Sequence, residues 1–248
     1  AALNGITGSF EEAVTRMNEV LAVTGKVLPV TNANVDLVAD FENGASVVGE
    51  SKIAAKKKQQ NCRIHQVRLE PQKPKALPHA IDAILSADMI ILGPGSLYTS
   101  IIPNLLVDGI VQALEKSKAP KIYVLNIMTQ DGETEGYTAF DHLHALLQHS
   151  APHLVDACIY NTAPVPDPIQ ARYKTEDAEP VEIDMQRFRE AGVEMYGFPL
   201  IAGGSQLARH DPALLAQAVV NVFGRCCVRE GIYGAYDVLA RETEPGKI

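Results

Sequence analysis

The chain has 248 residues, 46% of them hydrophobic and 21% charged, with 22 Lys plus Arg against 30 Asp plus Glu and a formal charge of −8. That length makes one large or two small domains and buries about 70% of the unfolded chain's area. The acidic balance excludes a nucleic-acid coat, whose phosphates need a basic face, and no apolar run reaches the ~18 residues that span a bilayer.

The first element in chain order is a helix. Ser9 and Glu12 form a capping-box pattern, and Phe10, Ala13, Val14, Met17, Val20 and Leu21 recur at helical spacing until Gly25, as in a packing helix. Val27 to Thr31, Val35 to Phe41 and Ser46 to Ile53 are β-rich, and Glu42-Asn43-Gly44 supplies a hairpin turn. The dense basic run Lys56 to Lys58 reads as a solvated loop. Ile64 to Leu69 reads as a strand, after which Pro71, Pro74 and Pro78 lead into a short helix, His79 to Ser86.

The pattern then changes. Met89 to Leu92 and Ile122 to Leu125 are continuous apolar runs of the kind found in parallel strands buried on both faces, and the helix expected over Pro103 to Glu115 lies between them as a βαβ unit. A helix capped by Thr138 runs from Ala139 to Gln148, followed by a strand over Ala157 to Tyr160. Pro164, Pro166 and Pro168 mark an irregular segment. A short helix over Met185 to Ala191, a strand over Val193 to Phe198 and a helix opened by Asp211-Pro212 and running through Phe223 complete the pattern. The sum is an α/β fold with a doubly wound, mainly parallel sheet plus a β-hairpin excursion. In such sheets ligands sit outside the carboxyl ends of the strands, which directs attention to the loops leaving Leu92, Asn126 and Phe198.

The first of these, Gly93-Pro94-Gly95-Ser96-Leu97-Tyr98-Thr99-Ser100, joins a buried strand to a helix. Its glycines let backbone N–H groups approach an anion, and Ser96, Thr99 and Ser100 add hydroxyl donors, which suits a phosphate. It is neither a Walker A loop nor G-x-G-x-x-G, and a tight capped turn would have the same composition. The second, Asn126 to Thr138, is long and polar where a βα connection needs ~2 to 6 residues. Within it Asn126, Thr129 and Gln130 are candidate ligand contacts. Asp131, Glu133 and Glu135 would repel phosphate unless a cation such as Mg²⁺ intervened, which makes Asp131 the candidate metal ligand, with plain solvent exposure the alternative for the two glutamates. The third runs from Pro199 to Gly204 and on to Arg209-His210-Asp211-Pro212, where a guanidinium beside a helix start suits a diphosphate, against the alternative of a surface ion pair. Asp211 reads as a helix cap, and His210 as a phosphate donor or a linker.

Other features carry less. Cys62, Cys158, Cys226 and Cys227 show no C-x-x-C pair, so no disulfide framework or zinc site is expected. His142 and His144, two apart on a helix, point to different faces and cannot jointly clamp a metal. No nucleophile elbow supports Ser-His-Asp catalysis.

Ala76-Leu77-Pro78-His79-Ala80-Ile81, the stretch from Leu92 through Gly93-Pro94-Gly95-Ser96-Leu97-Tyr98-Thr99-Ser100 to Leu106, and Asn126 to Ala139 resemble the gluconeogenesis factor (YvcK) branch of the CofD-like proteins. The resemblance runs from about Gly5 to Phe223. It implies a Rossmann-like three-layer fold in a cytoplasmic bacterial protein that binds nucleotide sugars, UDP-N-acetylglucosamine in particular, and influences gluconeogenic growth and cell-wall shape. The related CofD branch implies the alternative, a 2-phospho-L-lactate transferase using Mg²⁺ and a guanylyl donor. The family's opening strand, its Gly-Gly-Gly-Thr-Gly loop and its Asp-Asp-Gly-Gly segment do not occur in this sequence, which begins Ala1-Ala2-Leu3. The chain is therefore expected to be a single α/β domain over residues 1–248 that lacks its first strand and part of its nucleotide site. The expected partner is a nucleotide sugar or another nucleotide diphosphate, with no nucleic acid and no membrane span, and with a homo-oligomer left open.

Overall fold

The computed structural model describes residues 10–20, 25–204 and 206–229. The Ser9 cap and Leu21 lie outside them. The chain divides into two compact units: residues 1–87, 98–118 and 149–151 make the first, and residues 88–97, 119–148 and 152–248 the second. The second unit is therefore left at Tyr98 and re-entered at Ala119.

The first unit is built on a three-stranded antiparallel sheet ordered β2-β1-β3, with β1 over Asp36–Phe41, β2 over Ser46–Val48 and β3 over Ile64–Glu70. The expected hairpin is present, in the register Val38 with Val48 and Asp40 with Ser46. Its second strand is shorter than the sequence suggests. Gly49 stands at φ 101, where a side-chain-bearing residue is strained, and the chain turns there into α2, Glu50–Gln60. The Lys56 to Lys58 run is accordingly helix rather than loop, and Ile53 and Lys57, four residues apart, form its buried face. A lysine can sit there because its methylene stem covers apolar surface while the ammonium reaches outward. Val27 to Thr31 is not a strand; Val30 instead accepts the Leu77 N–H at 2.8 Å, and Thr31 Oγ1 donates to the Lys75 carbonyl at 2.8 Å.

In the same unit, α1 covers Phe10–Val20 and α3 covers Pro78–Leu85. Helix α1 buries Ala13 but leaves Phe10 and Met17 about half exposed, so only part of its apolar stripe packs. The single helix expected over Pro103 to Glu115 is two pieces, α4 over Ile102–Leu105 and α5 over Ile110–Lys116, preceded by a π-turn over Leu97–Ile101. The break is at Gly109, whose φ of 99 no helix interior accommodates and whose N–H is capped by Gln112 Oε1 at 3.0 Å.

The second unit holds a four-stranded parallel sheet, β4 (Ile90–Leu92), β5 (Lys121–Val124), β6 (Ala157–Asn161) and β7 (Glu194–Phe198), in that spatial order. Each strand lies beside its predecessor in the chain, so the strand order does not reverse among the described residues. Among the described residues four helices belong to this unit: α6 (Ala139–Gln148), α7 (Asp167–Lys174), α8 (Met185–Ala191) and α9 (Pro212–Arg229). One sheet face, Ile122, Val124, Ala157 and Ile159, packs against Ala218, Val219 and Val222 of α9. The alternate side chains Tyr123 and Cys158 are fully buried, and burial pushes both up from their ordinary pKa values. Strand β4 is an edge among the described residues, and Ile91 is 41% exposed instead of buried. Helix α7 occupies the segment that its three prolines mark as irregular, with a proline in its first turn where no N–H is required. No described helix is long and apolar enough to cross a membrane.

Candidate functional site

The exits of the parallel strands converge within the second unit. Strand β4 ends in Gly93, whose φ of 81 only glycine adopts without strain, followed by Pro94, Gly95 and Ser96. Strand β5 ends in Leu125-Asn126, and Asn126 Nδ2 donates to the Gly95 carbonyl at 3.0 Å. Two of the three predicted loops are thus joined by one side chain. The other two expected contacts of the first loop, Thr99 and Ser100, belong to the π-turn of the first unit, where the Ser100 carbonyl accepts from Asn104 Nδ2 at 2.6 Å.

The loop after Asn126 is ordered mainly by its own groups. Thr129 is buried; its N–H donates to the Glu179 carbonyl at 2.8 Å and its hydroxyl accepts the Glu179 N–H at 2.9 Å. The hydroxyl offered as a ligand donor therefore already serves as a clip to the segment after α7. Gln130 Nε2 donates to Glu133 Oε1 at 3.1 Å, and the Gln130 N–H donates to Thr134 Oγ1 at 2.9 Å. Glu133 and Thr134 are buried, and Glu135 accepts the Gly132 N–H, so the acidic stretch is a folded turn rather than a solvated one. Asp131 lies in that turn, but among the described residues no group of three or more His, Cys, Asp or Glu side chains converges on a cation position. A Mg²⁺ shared with a ligand's phosphates needs only one or two carboxylates, and Asp131 is the candidate for that place. The loop ends at Thr138, which caps α6: the Asp141 N–H donates to Thr138 Oγ1 at 3.2 Å and the Thr138 N–H to Asp141 Oδ2 at 3.1 Å.

Asp184 and Arg187 complete this cap. Asp184 accepts from Thr138 Oγ1 and the Phe140 N–H, and Arg187 donates to Asp141 at 2.9 Å while its guanidinium lies 4.4 Å from the Phe140 ring centre. Backbone and side-chain hydrogen bonds from Thr138 and Arg187 hold Asp141 below the usual carboxylate range despite the burial that opposes them. Beneath the cap, His142 is completely buried, with Nδ1 2.8 Å from the Thr138 carbonyl and Nε2 without a hydrogen-bond partner. Burial lowers its pKa, against the pull of the Thr138 carbonyl and of Asp141 and Asp184.

Strand β6 ends in Asn161, a residue that sequence reasoning passed over. Its Oδ1 accepts the Ala163 and Leu200 N–H groups at 3.1 and 2.9 Å, and its Nδ2 donates to the Ala163 carbonyl at 2.6 Å, which ties the β6 and β7 exits together. Asn126, Asn161 and Gln170 line a cavity of about 220 Å³ whose walls include Ile127, Val165 and Val181. That is smaller than the roughly 300–1,000 Å³ of a pocket for a drug-sized molecule, and it has room for about one ring. Close by, Ile127, Met128, Val165 and Ala208 form an apolar cluster against which Ile169, Tyr173 and Ile201 pack. The only trace of this wall in the sequence is the amphipathic run Ile169 to Tyr173, hidden between prolines.

The third loop doubles back on itself. The Ala202 N–H donates to the Arg209 carbonyl at 3.0 Å, Ile201 and His210 form an isolated antiparallel bridge, and the Asp211 N–H donates to the Leu200 carbonyl at 2.7 Å. Asp211 then caps α9, as expected, accepting the Ala213 and Leu214 N–H groups at 2.9 and 3.0 Å. Arg209 is exposed, and among the described residues its guanidinium enters no ion pair. The His210 ring faces inward, hydrogen-bonded to the Leu125 carbonyl at the β5 exit, and burial lowers its pKa.

The sequence profile of the family described as "2-phospho-L-lactate transferase CofD" matches residues 1–201. The chain is 44% identical over 222 residues to a gluconeogenesis factor of Bacillus subtilis, spanning 90% of this chain and 69% of that protein. It is 46% identical to a putative gluconeogenesis factor of Thermoanaerobacterium thermosulfurigenes, spanning 90% of this chain and 68% of that one. A crystal structure from Bacillus halodurans, of a protein assigned to the UPF0052 family, superposes with a TM-score of 0.83 at 39% identity, over 88% of this chain and 69% of its own. A family profile matched over most of the chain, and relatives this similar over nine-tenths of it, make this protein a member of the CofD family, similar to its gluconeogenesis factors.

Proposed function

We propose that this chain is a regulatory protein of the cytoplasm that binds a nucleotide sugar of the UDP-N-acetylglucosamine type and links that ligand to gluconeogenic growth, central carbon metabolism and cell shape. The observation that carries the reading is Arg209: an exposed guanidinium that enters no ion pair among the described residues, on a segment hydrogen-bonded on both sides. A diphosphate matches the fork of a guanidinium bidentately, and the Gly93-Pro94-Gly95-Ser96 exit tied to Asn126 supplies backbone donors in the same unit. The 220 Å³ cavity beside Asn126 and Gln170 has room for one ring of such a ligand. Relatives named gluconeogenesis factors support the metabolic half of the reading.

Calorimetric titration with UDP-N-acetylglucosamine tests it. Binding is expected, weakened about tenfold to a hundredfold in Arg209→Ala, because a hydrogen bond to a charged group contributes roughly 1.5–3 kcal/mol. Absence of binding, or equal affinity in the variant, rejects the reading. The family profile's own description favours a second one, a Mg²⁺-dependent phosphotransferase. Turnover of a deazaflavin acceptor would select it over the first.

A further inference from the structure

His210 is a half-buried, titratable group at the end of the parallel sheet that ligand binding through Arg209 leaves without a task. Its backbone is fixed by the Ile201 bridge and by flanking bonds from Ala202 to Arg209 and from Asp211 to Leu200. Its ring is turned to the Leu125 carbonyl, and its Nε2 is buried with no hydrogen-bond partner. A carbonyl only accepts, so the nitrogen facing Leu125 carries the proton and Nε2 of the neutral ring is a bare acceptor. The tie matters because Leu125 immediately precedes Asn126. One imidazole thus joins the segment bearing Arg209 to the strand exit bearing Asn126.

We propose that His210 is the positioning residue for the anion held by Arg209 and that it takes up a proton as that anion binds. Arg209 and Asp211 flank His210 in its own segment, and the Asp211 carboxylate is engaged by the amides of α9. The segments tied to it, Leu125 to Ile127 on one side and Leu200 to Ala202 on the other, carry no ionisable side chain, and α7, packed on the adjoining apolar cluster, brings Tyr173. Burial keeps the ring neutral in the free protein. A diphosphate brought in by Arg209 adds negative charge nearby, which favours the imidazolium. By linkage, affinity then rises as pH falls, by at most about tenfold per pH unit, until the free protein itself protonates. This role rests on the nucleotide-sugar reading and gives it a regulator, intracellular acidity.

The experiment is calorimetry of the chain with UDP-N-acetylglucosamine between pH 6 and 8, in buffers of different ionisation enthalpy. The diphosphate diester of this probe stays fully ionised over that range, so protons taken up belong to the protein. Wild type is expected to take up a growing fraction of one proton per ligand toward pH 6. His210→Ala should bind at least about tenfold more weakly at pH 8. His210→Asn, whose amide can replace the ring donor to Leu125 but cannot titrate, should recover most of that loss and take up no proton. Binding that depends on Arg209 but shows no proton uptake, or that is unmoved in His210→Ala, overturns the role of His210 alone. No binding by wild type overturns the nucleotide-sugar reading and this role with it.

Discussion

Lowering the pH should unfold this protein in a window set by buried histidine, and His142 defines the effect. Its ring is fully buried, its Nδ1 proton is committed to the Thr138 carbonyl, and its Nε2 has no partner to share a second proton with. Burial therefore lowers the native pKa below the ordinary 6.5, while the unfolded chain keeps that ordinary value. Where the unfolded state binds more protons than the native state, stability rises with pH. His142 thus imposes no penalty above pH 6.5 and a growing one below it, up to about 1.4 kcal/mol per pH unit until the native pKa is reached. His210 is lowered for the same reason and adds to that slope in the same window. Replacing His142 by Gln removes its titration. The variant will be less stable at pH 8 yet flatter between pH 6.5 and 5. The chain has no tryptophan, so urea unfolding is best followed by far-ultraviolet circular dichroism or tyrosine fluorescence at several pH values. A slope as steep in His142→Gln as in wild type would refute the reasoning, as would a native His142 resonance titrating at or above pH 6.5.

Two further outcomes follow from the packing of the second unit. Asp211→Ala should cost about 1 kcal/mol in urea unfolding through loss of the two amide bonds at the start of α9, and an unchanged midpoint would show that water or Arg209's segment replaces the cap. Gly197→Ala on β7 places a methyl 2.6 Å from Thr162 Cγ2 and 2.7 Å from Tyr160 Cζ and Oη, so it should destabilise by roughly 1–3 kcal/mol. That loss should shrink in a Thr162→Ser, Tyr160→Leu background; an equal loss there would place its cause elsewhere.

Periodicity carried the scaffold because burial is written locally. The continuous apolar run from Ile122 to Leu125 became an inner parallel strand, although the like run Met89 to Leu92 became an edge among the described residues, and Glu42-Asn43-Gly44 turned the chain as expected. Helix α2 escaped because its buried face is Ile53 with the stem of Lys57, a pairing that no hydrophobic count detects. Helix α7 escaped because prolines that break a helix interior also start one. The candidate site was legible as loops, through glycine content and excess length, but not as atoms. Thr129 is consumed by Glu179, 50 residues away, and Asn161 by Leu200, 39 residues away. Such pairings depend on which segments tertiary structure brings together. The same holds for His142 and His210, whose chemistry comes from what lacks a partner around them.

The route of the chain between β4 and β5 also determines how this protein can be cut. The Gly93 exit and β4 belong to the second unit, yet residues 98–118 belong to the first, as do residues 149–151. A deletion beginning after Ala87 therefore cannot deliver the second unit alone, and one beginning at Ala119 discards β4 with its Gly93-Gly95 turn. Tyr98, Ile101, Ile102, Leu105, Ile110 and Leu114 are buried in that excursion, so its length is fixed by the first unit's own packing while Ile90 to Leu92 stays in register with Lys121 to Tyr123. Insertions there would disturb the packing of the first unit, and cleavage at the same place would free the carboxyl end of β4, leaving that strand to its ladder with β5 and the packing of Met89.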